Sequence, residues 1–451
     1  MTQRFMRVAV AIVSLSAAPL AAQVTGAGQL PGGVTAAPLT LAQLEEMALA
    51  NSPVLAQSTA DIEAARGRAR QAGLLPNPTI GYSADEVSGG PVIRGGQQGF
   101  FIDQTFPLWG KLRLGRQVFE REATQFEAVR ESERQRLLND VRMLYYDALA
   151  ADRRVQVQDR LANLAADALG TTRQLFNTGA ADQPDVLESE VEVREAQLSA
   201  ESSRNDHSRI WRRLAATVGN AALTPRPLDG SIDAKVPELD RDTVLAQVLE
   251  HSPEVVAARA AVARAEAEVS RTRRETAPDL VVRGGPRYNR ELLNENGQPI
   301  GWQATFDVGL VVPLFNRNQG TIAAAGAELT RAQKELTRLD LALRARAADA
   351  FDGYLTSLRR AEVYRTDVIP RAERSYQLYL GRYREMGAAY PQVLVAQRTF
   401  FRVSNMYIDA AVEAWRRALE LQGFLLTGSL ERTGGASMRM GAGTENGRPV
   451  R

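Results

Sequence analysis

Three carboxylates, Asp182, Asp185 and Glu188, stand just beyond Gly179, where a helix is predicted to open near Pro184. Acids in a first turn are favoured by the positive end of the helix dipole, so capping is one task open to them. A second is electrostatic: acids gathered at a narrow opening would concentrate cations and disfavour anions. Covalent chemistry finds no footing. The chain has no cysteine, which excludes disulfides, thiolate metal sites, cysteine nucleophiles and a lipid anchor on an N-terminal Cys. Its two histidines, His207 and His251, lie far apart and read as surface or capping residues. No Ser-His-Asp set or H-E-x-x-H site is visible. The expectation is a non-enzyme with no catalytic, cofactor-binding or metal-ligating residues and no cofactor. A net charge of +2 gives no reason to expect a nucleic-acid partner. The basic residues are almost all Arg, with lysine only at Lys111, Lys235 and Lys334, which reads as genomic bias rather than phosphate recognition.

The elements that position these acids come in duplicate. Asn51-Ser52-Pro53 is echoed by His251-Ser252-Pro253, and Pro78 by Pro278. Phe106-Pro107-Leu108-Trp109 is echoed by Val312-Pro313-Leu314-Phe315, and Trp211-Arg212-Arg213-Leu214 by Trp415-Arg416-Arg417-Ala418. A repeat of about 200 residues is a duplicated architectural unit, not a solenoid repeat. The organisation follows: a signal peptide at 1–22, a Gly/Pro-rich leader at 23–39, unit one at 40–224, a proline-bearing linker at 225–240, unit two at 241–427, and a disordered tail at 428–451. Arg4 and Arg7 precede a short apolar run and the small residues Ala17–Ala22, so the mature chain leaves the cytoplasm.

Each unit reads helix, strand, strand, long helix, helix. In unit one a helix at about 41–73 is capped by Thr40, strands lie at about 79–85 and 98–107, and a long helix runs over about 112–176. Gly179 ends it. In unit two the helix is at 243–274, the strands at about 279–288 and 302–313, and the long helix at 321–384, ended by Gly387 before a helix from Pro391. A helix of about 65 residues is about 100 Å long. Two shorter helices end to end would match it. The seam Leu137, Val141, Leu144, Ala148, Ala151, Val155 recurs as Leu343, Ala347, Ala350, Tyr354.

The strands set this apart from a plain coiled coil. Over Trp302–Leu310 the even positions Trp302, Phe306, Val308 and Leu310 are apolar with Ala304, and the odd ones are polar or Gly. Phe100, Ile102 and Phe106 share the matching face in unit one, with Asp103 and Thr105 opposite. Such alternation marks a barrel strand with lipid on one side and water on the other. Four strands cannot close a membrane barrel, and edges are not tolerated in lipid, so chains must pool their strands.

This duplicated pattern resembles the TolC-like outer-membrane efflux proteins over about residues 40–427, most closely the heavy-metal (CzcC-like) branch. The resemblance rests on Gln71-Ala72-Gly73-Leu74-Leu75-Pro76-Asn77-Pro78, on Gly110-Lys111-Leu112-Arg113 and on Pro313-Leu314-Phe315-Asn316-Arg317-Asn318-Gln319-Gly320. It implies a mainly α fold with a small membrane β-barrel. Three chains would make a twelve-stranded barrel continuous with a helical tunnel through the periplasm, with Pro107, Gly110, Pro313 and Gly320 at the strand-to-helix corners. It implies outer-membrane lipid, a periplasmic adaptor and a proton-driven inner-membrane RND-type pump as partners, with heavy-metal cations as cargo. It also implies an acidic aperture at the turns marked by Gly179 and Gly387. Unit one supplies Asp182, Asp185 and Glu188 there. Unit two offers Gln392 and Val395 with one residue fewer after its glycine, so its half of the gate is incomplete. The rival readings are a drug or solvent duct of the same family, a secreted coiled-coil structural protein, and a secreted hydrolase.

Overall fold

A computed structural model describes residues 38–86, 96–293 and 296–430. The expected signal peptide, nearly all of the leader, most of the tail and the tips of both hairpin loops lie outside the described residues. In chain order the elements are α1 (Leu41–Asn51), α2 (Pro53–Ala72), β1 (Thr79–Asp85), β2 (Gln97–Phe106), α3 (Lys111–Asn177), α4 (Gln183–Thr217), α5 (Arg241–His251), α6 (Pro253–Arg274), β3 (Asp279–Leu293), β4 (Pro299–Val311), α7 (Gln319–Val363), a π segment (Tyr364–Val368), α8 (Ile369–Arg384) and α9 (Tyr390–Gln422). Among the described residues no helix is long and apolar enough to cross a membrane.

Thr40 caps α1 as expected: its hydroxyl accepts from the Gln43 N–H at 3.3 Å, and the Gln43 side chain accepts from the Thr40 N–H at 3.1 Å. The single opening helix expected in each unit is instead two. The breaks fall at Ser52 and Ser252, whose ψ angles of 117° and 128° are not helical. A following proline disfavours the helical conformation in the residue before it and has no N–H to donate, so Pro53 and Pro253 force the exits. Ser52 then caps the next helix, accepting from the Leu55 N–H.

The long helix α3 has 67 residues, about 100 Å of rod. Its upper part is flanked by α2, through Arg68–Glu122 and Arg66–Glu127, and its lower part by α4, through Arg204–Asp159 and Arg173–Glu190. Near its middle α1 and α4 meet on it, where Ala48, Val141, Leu144, Ala148, Trp211 and Leu214 form one core. The second core repeats this plan with Leu343, Ala347, Ala350, Tyr354 and Trp415.

Two devices tie the middle together. Segment 225–240 is pinned by aromatic donors on three helices: Tyr145 to the Asp229 carbonyl, Trp415 to the Ile232 carbonyl at 3.3 Å, Tyr354 to the Pro237 carbonyl at 2.7 Å, and Tyr407 to the Asp233 carboxylate at 2.7 Å. Burial pushes the Tyr145 hydroxyl up to about 12, so it remains a donor near neutral pH. The stretch after α9 is held by α3: Arg136 donates to the Thr427 carbonyl at 2.7 Å, and Asn139 donates to the Gly423 and Leu426 carbonyls at 2.7 and 2.9 Å. Asp140 accepts from the Gly428 N–H at 2.9 Å.

The second long helix departs from expectation: it is interrupted by the π segment, with Pro370 in the first turn of α8. The cause is one extra residue. Above the segment the seam repeats at an offset of 206, as Ala148 to Tyr354; below it the helix-ending turns repeat at 207. In the first turn Gly179 is left-handed (φ 77°) and the Ala180 N–H reaches the Leu175 carbonyl at 2.8 Å. In the second, Met386 is left-handed (φ 57°) and the Gly387 N–H reaches the Arg382 carbonyl at 2.8 Å. Met386, not Gly387, is therefore the counterpart of Gly179. The apparent deletion after Gly387 is an insertion upstream, which one widened turn absorbs.

Candidate functional site

The four strands form one antiparallel sheet in the order β1-β2-β3-β4, leaving β1 and β4 at its edges. Register places Ile80 beside Ile102, Tyr82 beside Phe100, Tyr288 beside Trp302 and Leu280 beside Leu310. The face they share is bare: Phe306 is 74 % and Trp302 70 % exposed, and Phe100, Ile102, Val308 and Leu310 are exposed too. Phe106 is only partly so. Exposure of this much contiguous apolar surface marks a membrane or partner contact. The other face is polar. There Arg283 stands 3.4 Å from Asp103 and stacks on the Phe101 ring at 4.1 Å.

The strand-to-helix corners differ between units. Trp109 and Gly110 both have positive φ (62° and 76°), after Pro107. In unit two, after Pro313, the left-handed residue is Asn318 (φ 56°), and Gly320 already lies in the first turn of α7. Asparagine tolerates this conformation better than most residues. Its side chain also donates to the Thr272 carbonyl at 3.1 Å, fastening the corner to α6.

At the opposite end of the helices, Asp182 is the N-cap residue of α4 and Asp185 sits in its first turn. The Asp182 N–H donates to the Asp185 carboxylate at 3.3 Å. Asp185 is half-buried, whereas Asp182, Glu188 and Gln392 are exposed. Asp185, Glu188 and Glu192 of α4 act on residues of α8 and α9 of the same chain. Burial raises the Tyr390 hydroxyl pKa, and the carboxylates of Glu192 and Glu188 push it the same way. Asp185 acts likewise on Tyr383, after burial. Glu192 is almost wholly buried and takes the Arg398 guanidinium, with Nε at 2.7 Å. The sequence analysis missed this pair. Its only local sign is that Glu192 continues the line of Asp185 and Glu188 at helical spacing. Gln392 contributes no charge here. Among the described residues no group of three or more His, Cys, Asp or Glu could hold a metal ion.

A sheet with one bare apolar face, joined to paired helices about 100 Å long, is matched by known proteins. The sequence model of the family described as outer membrane efflux protein matches residues 44–220 and 244–425. The cobalt-zinc-cadmium resistance protein CzcC of Cupriavidus metallidurans is 25 % identical over 390 residues, covering 86 % of this chain and 90 % of that one. The nickel-cobalt-cadmium resistance protein NccC of Alcaligenes xylosoxydans xylosoxydans is 28 % identical over 305 residues, 66 % of each. Among solved structures, the outer-membrane channel OprN (19 % identity) superposes with a TM-score of 0.72 over 86 % of this chain and 90 % of its own. CusC, at 15 % identity, gives 0.72 over 86 % and 92 %. The outer membrane protein VceC of Vibrio cholerae, at 18 % identity, gives 0.70 over 86 % and 96 %. Both halves of the duplication fall inside the family match, and the chain belongs to the outer membrane efflux protein family.

Proposed function

We propose that three copies of this chain close a twelve-stranded barrel and that the resulting duct passes transition-metal cations out of the cell. The observation that carries the assembly is the open sheet. It is apolar on one face and has two unpaired edges. Edge N–H and C=O groups find no water in lipid, and the smallest membrane barrels have about eight strands, so copies must pool. The metal cargo is supported by the two resistance proteins that are 25 % and 28 % identical to this chain over 86 % and 66 % of its length. A periplasmic adaptor and a proton-driven RND-type pump would supply force and selection. The chain does no chemistry in this reading: it is a passage, and its acids act on cargo only through their field.

Deleting the protein should lower tolerance to cobalt, zinc, cadmium or nickel salts several-fold in growth assays, with restoration by the intact chain. A deletion that changes only drug or detergent tolerance would refute the metal assignment and leave the duct standing.

Threefold assembly turns each acid at the mouth into a ring of three, which would favour cations over anions. Asp185→Asn retains an acceptor for the Asp182 N–H and removes the charge. It is expected to reduce cation selectivity, or to raise resting conductance, in single-channel recordings. If Asp185→Ala and Asp185→Asn both leave conductance and selectivity at the wild-type value, Asp185 is a cap and nothing more.

A further inference from the structure

The corners carry a second exposed feature. Trp109 is held at positive φ, a strained setting for so bulky a residue, and is 61 % exposed. Phe315, its counterpart in unit two, is 93 % exposed. Both follow directly on strands whose apolar face is bare. Around them stand arginines. Arg113 lies in the first turn of α3, and Arg317 is two residues past Phe315. Arg273 and Arg274 end α6, which the Asn318–Thr272 hydrogen bond ties to the same corner. None of these four guanidiniums has a carboxylate partner among the described residues, although Arg317 Nε donates to the Leu314 carbonyl at 3.1 Å and the neighbouring Arg271 is taken by both Glu268 and Glu275.

Helix dipoles account for part of this and not the rest. Arg273 and Arg274 sit at a helix C-terminus, which favours cations. Arg113 sits at the opposite pole, near the N-terminus of α3, where a cation is disfavoured and where the first turn has no acid. An anion from outside the chain would relieve both its isolation and its setting. Apolar aromatic rings beside guanidiniums that lack a carboxylate partner, at the rim of a lipid-facing sheet, fit one partner: the interfacial layer of a bilayer.

We propose that the two corners of each chain dock on the periplasmic leaflet of the outer membrane. Trp109 and Phe315 enter the acyl boundary, and Arg113, Arg273, Arg274 and Arg317 hold the phosphates of anionic phospholipid. This rests on the reading of the bare strand face as lipid-facing, and Trp302, on that face, serves as the internal check.

The test uses full-length protein in nanodiscs containing brominated phosphatidylglycerol or brominated phosphatidylcholine, whose bromines quench nearby tryptophan fluorescence. The Trp109 signal is the difference between wild type and Trp109→Phe, and the Trp302 signal that between wild type and Trp302→Phe. Phosphatidylglycerol should quench Trp109 with an apparent preference on the order of fivefold, the worth of about one arginine near an anionic surface. Arg113→Gln should erase that preference and leave the Trp302 signal unchanged. Equal quenching of Trp109 by the two lipids overturns the proposal, as does a preference that survives Arg113→Gln. A preference abolished by millimolar inorganic phosphate would make the site an ion site, which also overturns it. If Trp302 is quenched and Trp109 is not, only this proposal falls. If Trp302 is quenched by neither lipid, the membrane reading falls with it.

Discussion

Phe306→Arg is expected to abolish stable assembly. Phe306 lies mid-strand on β4, opposite Gly284, and is the most exposed side chain of the apolar sheet face. An arginine facing lipid near the midplane costs about 2–4 kcal/mol, and three copies would carry about 6–12 kcal/mol per proposed trimer. That is comparable with the whole stability of an ordinary domain. Oligomer content after detergent extraction, read by size exclusion with light scattering, should fall to near zero. Gln303→Arg, on the polar face of the same strand, should leave it nearly intact. Wild-type oligomer content in Phe306→Arg would mean that this face meets something other than hydrocarbon.

Gly423→Ala should produce the second large effect. A Cβ at this position would stand 1.8 Å from the Asn139 amide nitrogen. Asn139 is fully buried and donates to the carbonyls of Gly423 and Leu426; the Gly423 carbonyl also accepts from the Leu426 N–H at 3.1 Å, so displacing Asn139 orphans the Leu426 carbonyl and the Asn139 amide N–H. Each orphaned group costs about 1–3 kcal/mol, so a total loss of about 2–6 kcal/mol is expected. Asn139→Ala strips the same two bonds and should cost a similar amount, while opening room for the new methyl. The double variant should therefore be little worse than either single one. Thermal midpoints followed by far-UV circular dichroism make the comparison. Strictly additive losses would mean that Asn139 and Gly423 act independently.

The duplication, the rod lengths and the bare strand face were legible in the sequence because each is a property of short-range pattern. Trp302, Phe306, Val308 and Leu310 announce their shared face by alternation alone. The Ser-Pro steps at 52–53 and 252–253 were also written there, and reading through them merged four helices into two. Other features had no local sign. The Glu192–Arg398 pair joins residues 206 positions apart. Segment 225–240 is pinned largely through its backbone carbonyls, which are identical in every residue type and so leave no trace in composition. The second turn misled for a related reason: Gly387 looks like the residue that must be left-handed, yet Met386 is, because the hydrogen-bond pattern and not the glycine places the helix end.

The single inserted residue at the π segment makes the two halves of the chain mechanically unlike. One rod runs unbroken for 67 residues, and its partner is cut into lengths of 45 and 16 around a widened turn. Widened turns give up the regular i to i−4 bonding, and sharp bends in helices concentrate at them. In a threefold tube, three stiff posts would alternate with three jointed ones. A sideways load at the mouth would be taken up by the joints while the posts kept their line, so the tube could change its bore at one end without changing its height.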